Sequence, residues 1–292
     1  MKILITGSLG FIGSRAIKVL GREHEVRGVD ALDGTNLANY SQMCNIFEDF
    51  KPDYVLHCAA SGDIGFCENN KDAAVRNNII ATRNIATLCA KHDSSLIFCS
   101  TDHVYRYSEL PIGLHEYNET KGASFYGITK VACEQEVRAV VKKHFIARLC
   151  WQYGIFEKGM PLCEPRIGMV DNAAKALKNN SPITVVRGSR QHTSYIYDTI
   201  DVFADMLKGA IPYGTYNVTS ENELTVKGLY TYVLKKMGAD EQKIAELLLE
   251  VEGVPGILTP EPYYLKLLGY KMPTFEEGFA RYMEEIYPTA DY

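Results

Sequence analysis

Tyr126 and Lys130 stand four residues apart in Tyr126-Gly127-Ile128-Thr129-Lys130, a spacing that on a helix sets a phenol and an ammonium on one face. A free phenol keeps its proton to a pKa near ~10, and a cation beside it favours the phenolate. Such a pair can pass a proton to a carbonyl oxygen under reduction, which is general-acid chemistry. Upstream, Ser100-Thr101-Asp102 closes an apolar stretch, and the Thr101 hydroxyl could orient the same oxygen. Thr101, Tyr126 and Lys130 are the candidate catalytic residues. A Tyr-x-x-x-Lys pattern alone recurs by chance in many helices, so its weight depends on its company.

That company is Gly7-Ser8-Leu9-Gly10-Phe11-Ile12-Gly13 near the start of the chain. Three glycines between a strand and a helix suit a tight turn, a close approach of backbone to a pyrophosphate, and tight helix–sheet packing. The helix start supplies amide donors for the phosphates. Gly7, Gly10, Phe11, Ile12 and Gly13 are therefore candidate cofactor contacts. Asp30 follows about 20 residues later at the end of a second strand, where a carboxylate can accept from a ribose diol. Ala31 follows it, leaving no adjacent cation for a 2'-phosphate. NAD(H) is favoured, with NADP(H) left open because Arg15 and Arg27 could lie nearby.

The elements that must position these groups alternate between strand and helix, as in a doubly wound parallel sheet of Rossmann type. Lys2 to Thr6, Glu25 to Val29, Tyr54 to Cys58, Ser95 to Cys99 and Phe145 to Leu149 read as strands. Phe11 to Leu20, Ala73 to Lys91 and Ile128 to Lys142 read as helices. Beyond about residue 155, Pro161, Pro165, Pro182 and Pro212 break the pattern into shorter pieces. The expected division is a dinucleotide-binding domain over 1–155, rejoined by segments around 190–220, and a smaller substrate-binding lobe over most of 156–292.

Bulk properties narrow the partners. A chain of 292 residues can bury a large core without disulfides or metals. A net charge of -5 and a pI near 5.9 argue against nucleic acid, which needs a basic face. No apolar run approaches the length of a membrane span. The N-terminus has one lysine and a short apolar run ended by Gly7, unlike a signal peptide, so a cytoplasmic location is expected. The eight cysteines form no Cys-x-x-Cys pair and read as reduced, packed thiols. No metal site is expected, because the histidines include no pair at helical ligand spacing with a carboxylate.

Taken in order, the motifs resemble the extended short-chain dehydrogenases/reductases, and within them the dTDP-4-dehydrorhamnose reductase group. The resemblance covers nearly the whole chain. It runs through the glycine turn, His57-Cys58-Ala59-Ala60, Ser100-Thr101-Asp102-His103-Val104-Tyr105, Tyr126 to Lys130, and Arg148-Leu149-Cys150-Trp151-Gln152-Tyr153-Gly154. It implies hydride transfer from a reduced nicotinamide to the C4 ketone of a nucleotide-linked 6-deoxy sugar, with Tyr126 as proton donor. It further implies that Lys130 holds the nicotinamide ribose, that Ala59 and Ala60 line the cofactor, and that Asp102, Trp151 and Gln191 face the sugar. By the same resemblance, the helix continuing through Val131, Ala132, Val137 and Val140 would join a homodimer interface.

Relatives of other chemistry fit less well. The 4,6-dehydratases carry Thr-Asp-Glu where this chain has Thr101-Asp102-His103. A 4-epimerase is the enzymatic alternative, and a non-catalytic dinucleotide-binding regulatory subunit the other. Fucose-type epimerase-reductases need an added acid/base pair, for which Cys99, Cys133, His103 and His192 supply the residue types but not convincing positions. Val254-Pro255 also stands where the reductase group often has Arg-Pro, which removes one diphosphate contact that Arg166, Arg187 or Arg190 could supply instead.

Overall fold

The computed structural model describes residues 1–105, 113–155 and 168–286. The chain opens with β1 (Lys2–Thr6), α1 (Phe11–Leu20), β2 (Glu25–Val29), α2 (Tyr40–Phe50) and β3 (Tyr54–His57). Then come α3 (Ile64–Asn69), α4 (Lys71–Ala74), a π-helical turn over Val75–Ile80, α5 (Ala81–His92) and β4 (Ser95–Thr101). Next are α6 (Phe125–Val140), β5 (His144–Leu149), β6 (Trp151–Tyr153), α7 (Met169–Asn179), β7 (Ile183–Val186), β8 (Arg190–Gln191) and β9 (Thr193–Tyr195). The last part holds α8 (Ile196–Leu207), β10 (Gly214–Val218), α9 (Val226–Lys236), α10 (Glu241–Leu247), β11 (Leu248–Val251), β12 (Ile257–Leu258), α11 (Tyr263–Leu267) and α12 (Phe275–Ile286).

Six strands form one parallel sheet in the order β2-β1-β3-β4-β5-β10. Every residue of β4 is buried, as expected of a parallel sheet covered on both faces. One face packs on α1 and α8, with Ile3, Ile5, Phe145, Val202 and Phe203 in a shared core. The other face packs on α2, α5 and α6, around Phe47, Ile85, Phe98 and Val137. The chain leaves β1 toward β2 on one side and returns to β3 on the other, which opens a crevice at the carboxyl ends of β1 and β3.

Two helices differ from their sequence reading for local reasons. The stretch read as one helix over 73–91 runs from Lys71 to His92 and is interrupted by the π turn. The helix expected from Ile128 starts at Phe125 instead, because Ser124 caps it by accepting from Gly127 N at 3.2 Å. The helix α2 was not assigned from sequence; Asn39 caps it by accepting from Gln42 N, and Lys51 ends it in the left-handed region at φ 52°.

Beyond residue 155, β10 lies on the edge of the main sheet beside β5. The other late strands pair in three small two-stranded sheets, β7 with β11, β8 with β12, and β6 with β9. A further core, centred on Tyr153, Phe275 and Phe279, binds α7, α9 and α12 together. Among the described residues no helix is long and apolar enough to cross a membrane.

Candidate active site

The glycine turn is built by contacts that exclude side chains. Gly7 has φ +67°, and a Cβ there would lie 2.7 Å from Ala59 N. A Cβ on Gly13 would lie 2.1 Å from Gly7 O, so α1 can sit against the turn only because residue 13 lacks one. Gly10 is the N-cap of α1 and offers no side chain to its first amides, leaving the positive end of the helix to a ligand. The residues present therefore fit a pyrophosphate.

Asp30 is buried at the end of β2 rather than carried on a solvated loop. Its Oδ2 accepts from Leu9 N at 3.1 Å and its Oδ1 from Leu32 N at 3.0 Å. The carboxylate thus ties the glycine turn to β2. Both cations suggested for a 2'-phosphate have other partners. Arg15 is buried over the Phe11 ring, 3.9 Å from its centroid, and donates to the carbonyls of Phe11 and Ile155. Arg27 pairs with Asp49 at 2.5 Å.

Below the turn, His57 Nδ1 meets Thr6 Oγ1 at 2.6 Å, and its Nε2 meets Thr82 Oγ1 at 3.0 Å. Thr6 Oγ1 also accepts from Ala59 N at 3.3 Å, so this chain of bonds braces Ala59 and Ala60 against β1. Burial, helped by the charge of Lys130, pushes the His57 pKa down to about 3.

A cavity of about 540 Å³ opens at the carboxyl ends of β1, β3, β4 and β5. Phe11, Ile12 and Ala60 line it on one side, and Thr101, Asp102, Tyr126, Lys130 and Trp151 on the other. Tyr126 is half-buried and Lys130 buried, one turn apart on α6. Lys130 Nζ donates to Cys99 O at 2.7 Å and lies 4.4 Å from the Phe98 ring centroid. An ammonium carries three donors, and this bond fixes its position using one. Thr101 Oγ1 donates to Asp102 Oδ1 at 3.0 Å and accepts from His103 N at 3.2 Å. Gln191 stands behind Asp102, its Nε2 donating to Oδ2 at 3.1 Å. Burial raises the Asp102 pKa from the usual carboxylate range. Trp151 is 42% exposed, so it serves as cavity wall and not as core packing.

Several residues in or behind the site were not singled out from sequence. Asn78, buried in the π turn, donates to Thr129 Oγ1 at 2.9 Å and to Ser61 O at 3.1 Å, and accepts from Ser61 N. It locks α6 to the segment after β3, and a π turn at a functional site is a recurrent arrangement. The sulfurs of Cys58 and Cys99 lie 3.6 Å apart on the cavity wall as free thiols. Glu134, one turn beyond Lys130, takes two bonds from Arg148 at 2.9 and 2.8 Å and one from Ser100 Oγ at 2.6 Å. The position of α6 is thereby fixed to β4 and β5.

Of the four side chains that could supply a further acid/base pair, Cys99 and His103 line the cavity. Cys133 is buried in the core beside α5, and His192 is buried against Thr219 and Pro260. Arg187 pairs with Glu250 and Glu252, Arg190 donates to Glu223 O, and Arg166 lies outside the described residues. Among the described residues no three His, Cys, Asp or Glu side chains group to hold a metal ion.

A parallel Rossmann-type sheet, a glycine turn at its switch point and a Thr–Tyr–Lys set on one cavity define the extended short-chain dehydrogenase/reductase class. The chain belongs to the family described as the RmlD substrate binding domain, which it matches over residues 1–255. It is 30% identical to a dTDP-4-dehydrorhamnose reductase of Mycolicibacterium smegmatis over 159 residues, 52% of this chain and 46% of that one. It is 24% identical to a probable low-salt glycan biosynthesis reductase of Haloferax volcanii over 96% of each chain. The fold is shared with a dTDP-4-dehydrorhamnose reductase from Bacillus anthracis solved in complex with NADP, at a TM-score of 0.85, 24% identity, and 97% and 98% coverage.

Proposed function

We propose that this protein is an NAD(P)H-dependent reductase acting on the C4 ketone of a nucleotide-linked 4-keto-6-deoxy sugar. The observation that carries the reading is the meeting of Thr101, Tyr126 and Lys130 on the cavity that also borders the glycine turn. Its family membership and its named reductase relatives support the same substrate class.

The nicotinamide, when bound, supplies the hydride. Tyr126 delivers the proton to the ketone oxygen, and Thr101 turns its hydroxyl from Asp102 to the same oxygen. Lys130, anchored on Cys99 O, offers its remaining donors to a ribose and its charge to the phenol. Asp102 holds a sugar hydroxyl, with Gln191 behind it steadying the carboxylate, and Trp151 presents an apolar face to the ring. Asp30 accepts from the adenosine ribose, and the engagement of Arg15 and Arg27 elsewhere favours NAD(H) over NADP(H). The segment after residue 155, apart from the stretch around 190–220, is the substrate-binding lobe. A homodimer through α6 would use Ile128 and Val140, both exposed, since Val137 is taken up by the core.

The test mixes the protein with NADH and dTDP-4-dehydrorhamnose and follows loss of the reduced nicotinamide's absorbance. In Tyr126→Phe the rate should fall about 10²–10⁴-fold while NADH still binds. Cofactor binding without turnover in the unsubstituted protein would overturn the reductase in favour of a regulatory subunit. Sugar isomerisation without net NADH consumption would favour an epimerase.

A further inference from the structure

Cys58 and Cys99 are two thiols that ketone reduction does not use. They stand on neighbouring strands, one residue beyond the pair His57 and Phe98 that closes the register of β3 with β4. Adjacent strands run about 4.8 Å apart, inside the range of about 4.4–6.8 Å between Cα atoms that a disulfide spans. The two sulfurs already lie 3.6 Å apart, so a bond of about 2.05 Å needs an approach of roughly 1.5 Å. Cys58 is partly exposed on the cavity wall, where a small solute can reach its sulfur, and Cys99 is buried next to it.

Each cysteine also holds part of the surrounding structure through its backbone. Cys58 N donates to Thr6 O at 3.2 Å, and its carbonyl carbon lies 3.0 Å from where a Cβ on Gly7 would stand, so it packs against the glycine turn. Cys99 O is the acceptor that anchors Lys130 Nζ at 2.7 Å. A bond between the sulfurs therefore draws the glycine turn and the lysine anchor toward one another. Contact with the Cys99 thiol and burial raise the Cys58 pKa, against the opposing charge of Lys130. The pair thus stays protonated at neutral pH and yields only to sustained oxidant.

We propose that Cys58 and Cys99 form a site of reversible oxidation, at which hydrogen peroxide links the two sulfurs and so shuts the cavity to the dinucleotide, an inference that rests on the reading of that cavity given above. The Cys58 thiolate attacks a peroxide oxygen, the O–O bond breaks, and one water leaves with the thiol's proton, giving a sulfenic acid. The Cys99 thiol then attacks that sulfur. The S–S bond forms, the S–O bond breaks, and a second water carries off the remaining proton. Each sulfur gives up one electron and the peroxide takes both. A small dithiol reverses the link by exchange.

The experiment treats the reduced protein, free of cofactor, with hydrogen peroxide, maps its cysteines by mass spectrometry of peptides, and titrates NADH before and after. A parallel sample with NADH and dTDP-4-dehydrorhamnose reads reduction. The peptides carrying Cys58 and Cys99 should join with loss of two hydrogens, and NADH binding should weaken. The reduction rate should fall about 10²-fold, as for a misplacement of about 1 Å, and dithiothreitol should restore it. In Cys58→Ser and in Cys99→Ser, peroxide should change neither NADH binding nor rate. Absence of the joined peptide, or its formation with NADH binding unchanged, overturns the proposal. A loss of NADH binding that persists in both serine variants does the same. Failure of the untreated protein to reduce the sugar overturns the reductase reading instead, while peptide mapping and the NADH titration still decide the switch.

Discussion

Acidification should destabilise this protein through one buried imidazole, that of His57. The folded state holds His57 neutral between Thr6 and Thr82, with its pKa pushed down to about 3, whereas an unfolded chain binds the proton near the ordinary ~6.5. Between those values the unfolded state carries more protons, so stability falls as pH falls. The contribution is complete above about pH 6.5 and is lost progressively down to about pH 3. At 1.36 kcal/mol per unit, moving from about pH 7 to about pH 5 removes about 2 kcal/mol, and the whole window is worth about 5 kcal/mol. Because Thr6 also braces Ala59, the loss should reach the dinucleotide site. Urea unfolding at both pH values, for the natural chain and for His57→Gln, measures the difference. The carboxamide can still bond to both threonines but does not titrate, so the variant should start less stable and lose about 2 kcal/mol less on acidification. An equal pH dependence in the two proteins would refute the reasoning.

Gly13→Ala should abolish measurable NADH binding in a fluorescence titration, because its Cβ would sit 2.1 Å from Gly7 O and push α1 off the turn. Asp30→Ala should weaken NADH binding by about 1–3 kcal/mol and narrow the gap to NADPH, read by paired titrations, since it removes the proposed ribose acceptor and the brace on Leu9 N. Glu134→Gln should cost about 3–5 kcal/mol in urea unfolding, because Arg148 is left buried without its carboxylate. Burial works to raise the Glu134 pKa, but the bonds and charge of Arg148 prevail and hold it below the usual range. The natural protein should therefore keep this ion pair through mild acid.

The parts of the site legible in sequence are those whose physics is local. A strand, three glycines and a helix start lie within residues 2–20, and their spacing alone predicts the turn. Tyr126 and Lys130 share a helix face whatever the rest of the chain does, because four residues make about one turn. Thr101 was readable as the end of an apolar strand. Tertiary structure decided everything that depends on which strand lies beside which. The order β2-β1-β3-β4-β5-β10 places the carboxyl ends of β1, β3, β4 and β5 around one cavity, and that order is set by crossovers no local pattern encodes. It brings Cys58 to Cys99, Asn78 to Thr129, and Arg148 to Glu134. Between His103 and His192 the sequence offered no choice, since both are histidines in mixed polar and apolar surroundings. The fold sends one to the cavity beside Tyr126 and buries the other against Pro260, because only the first follows a strand that ends at the switch-point side of the sheet.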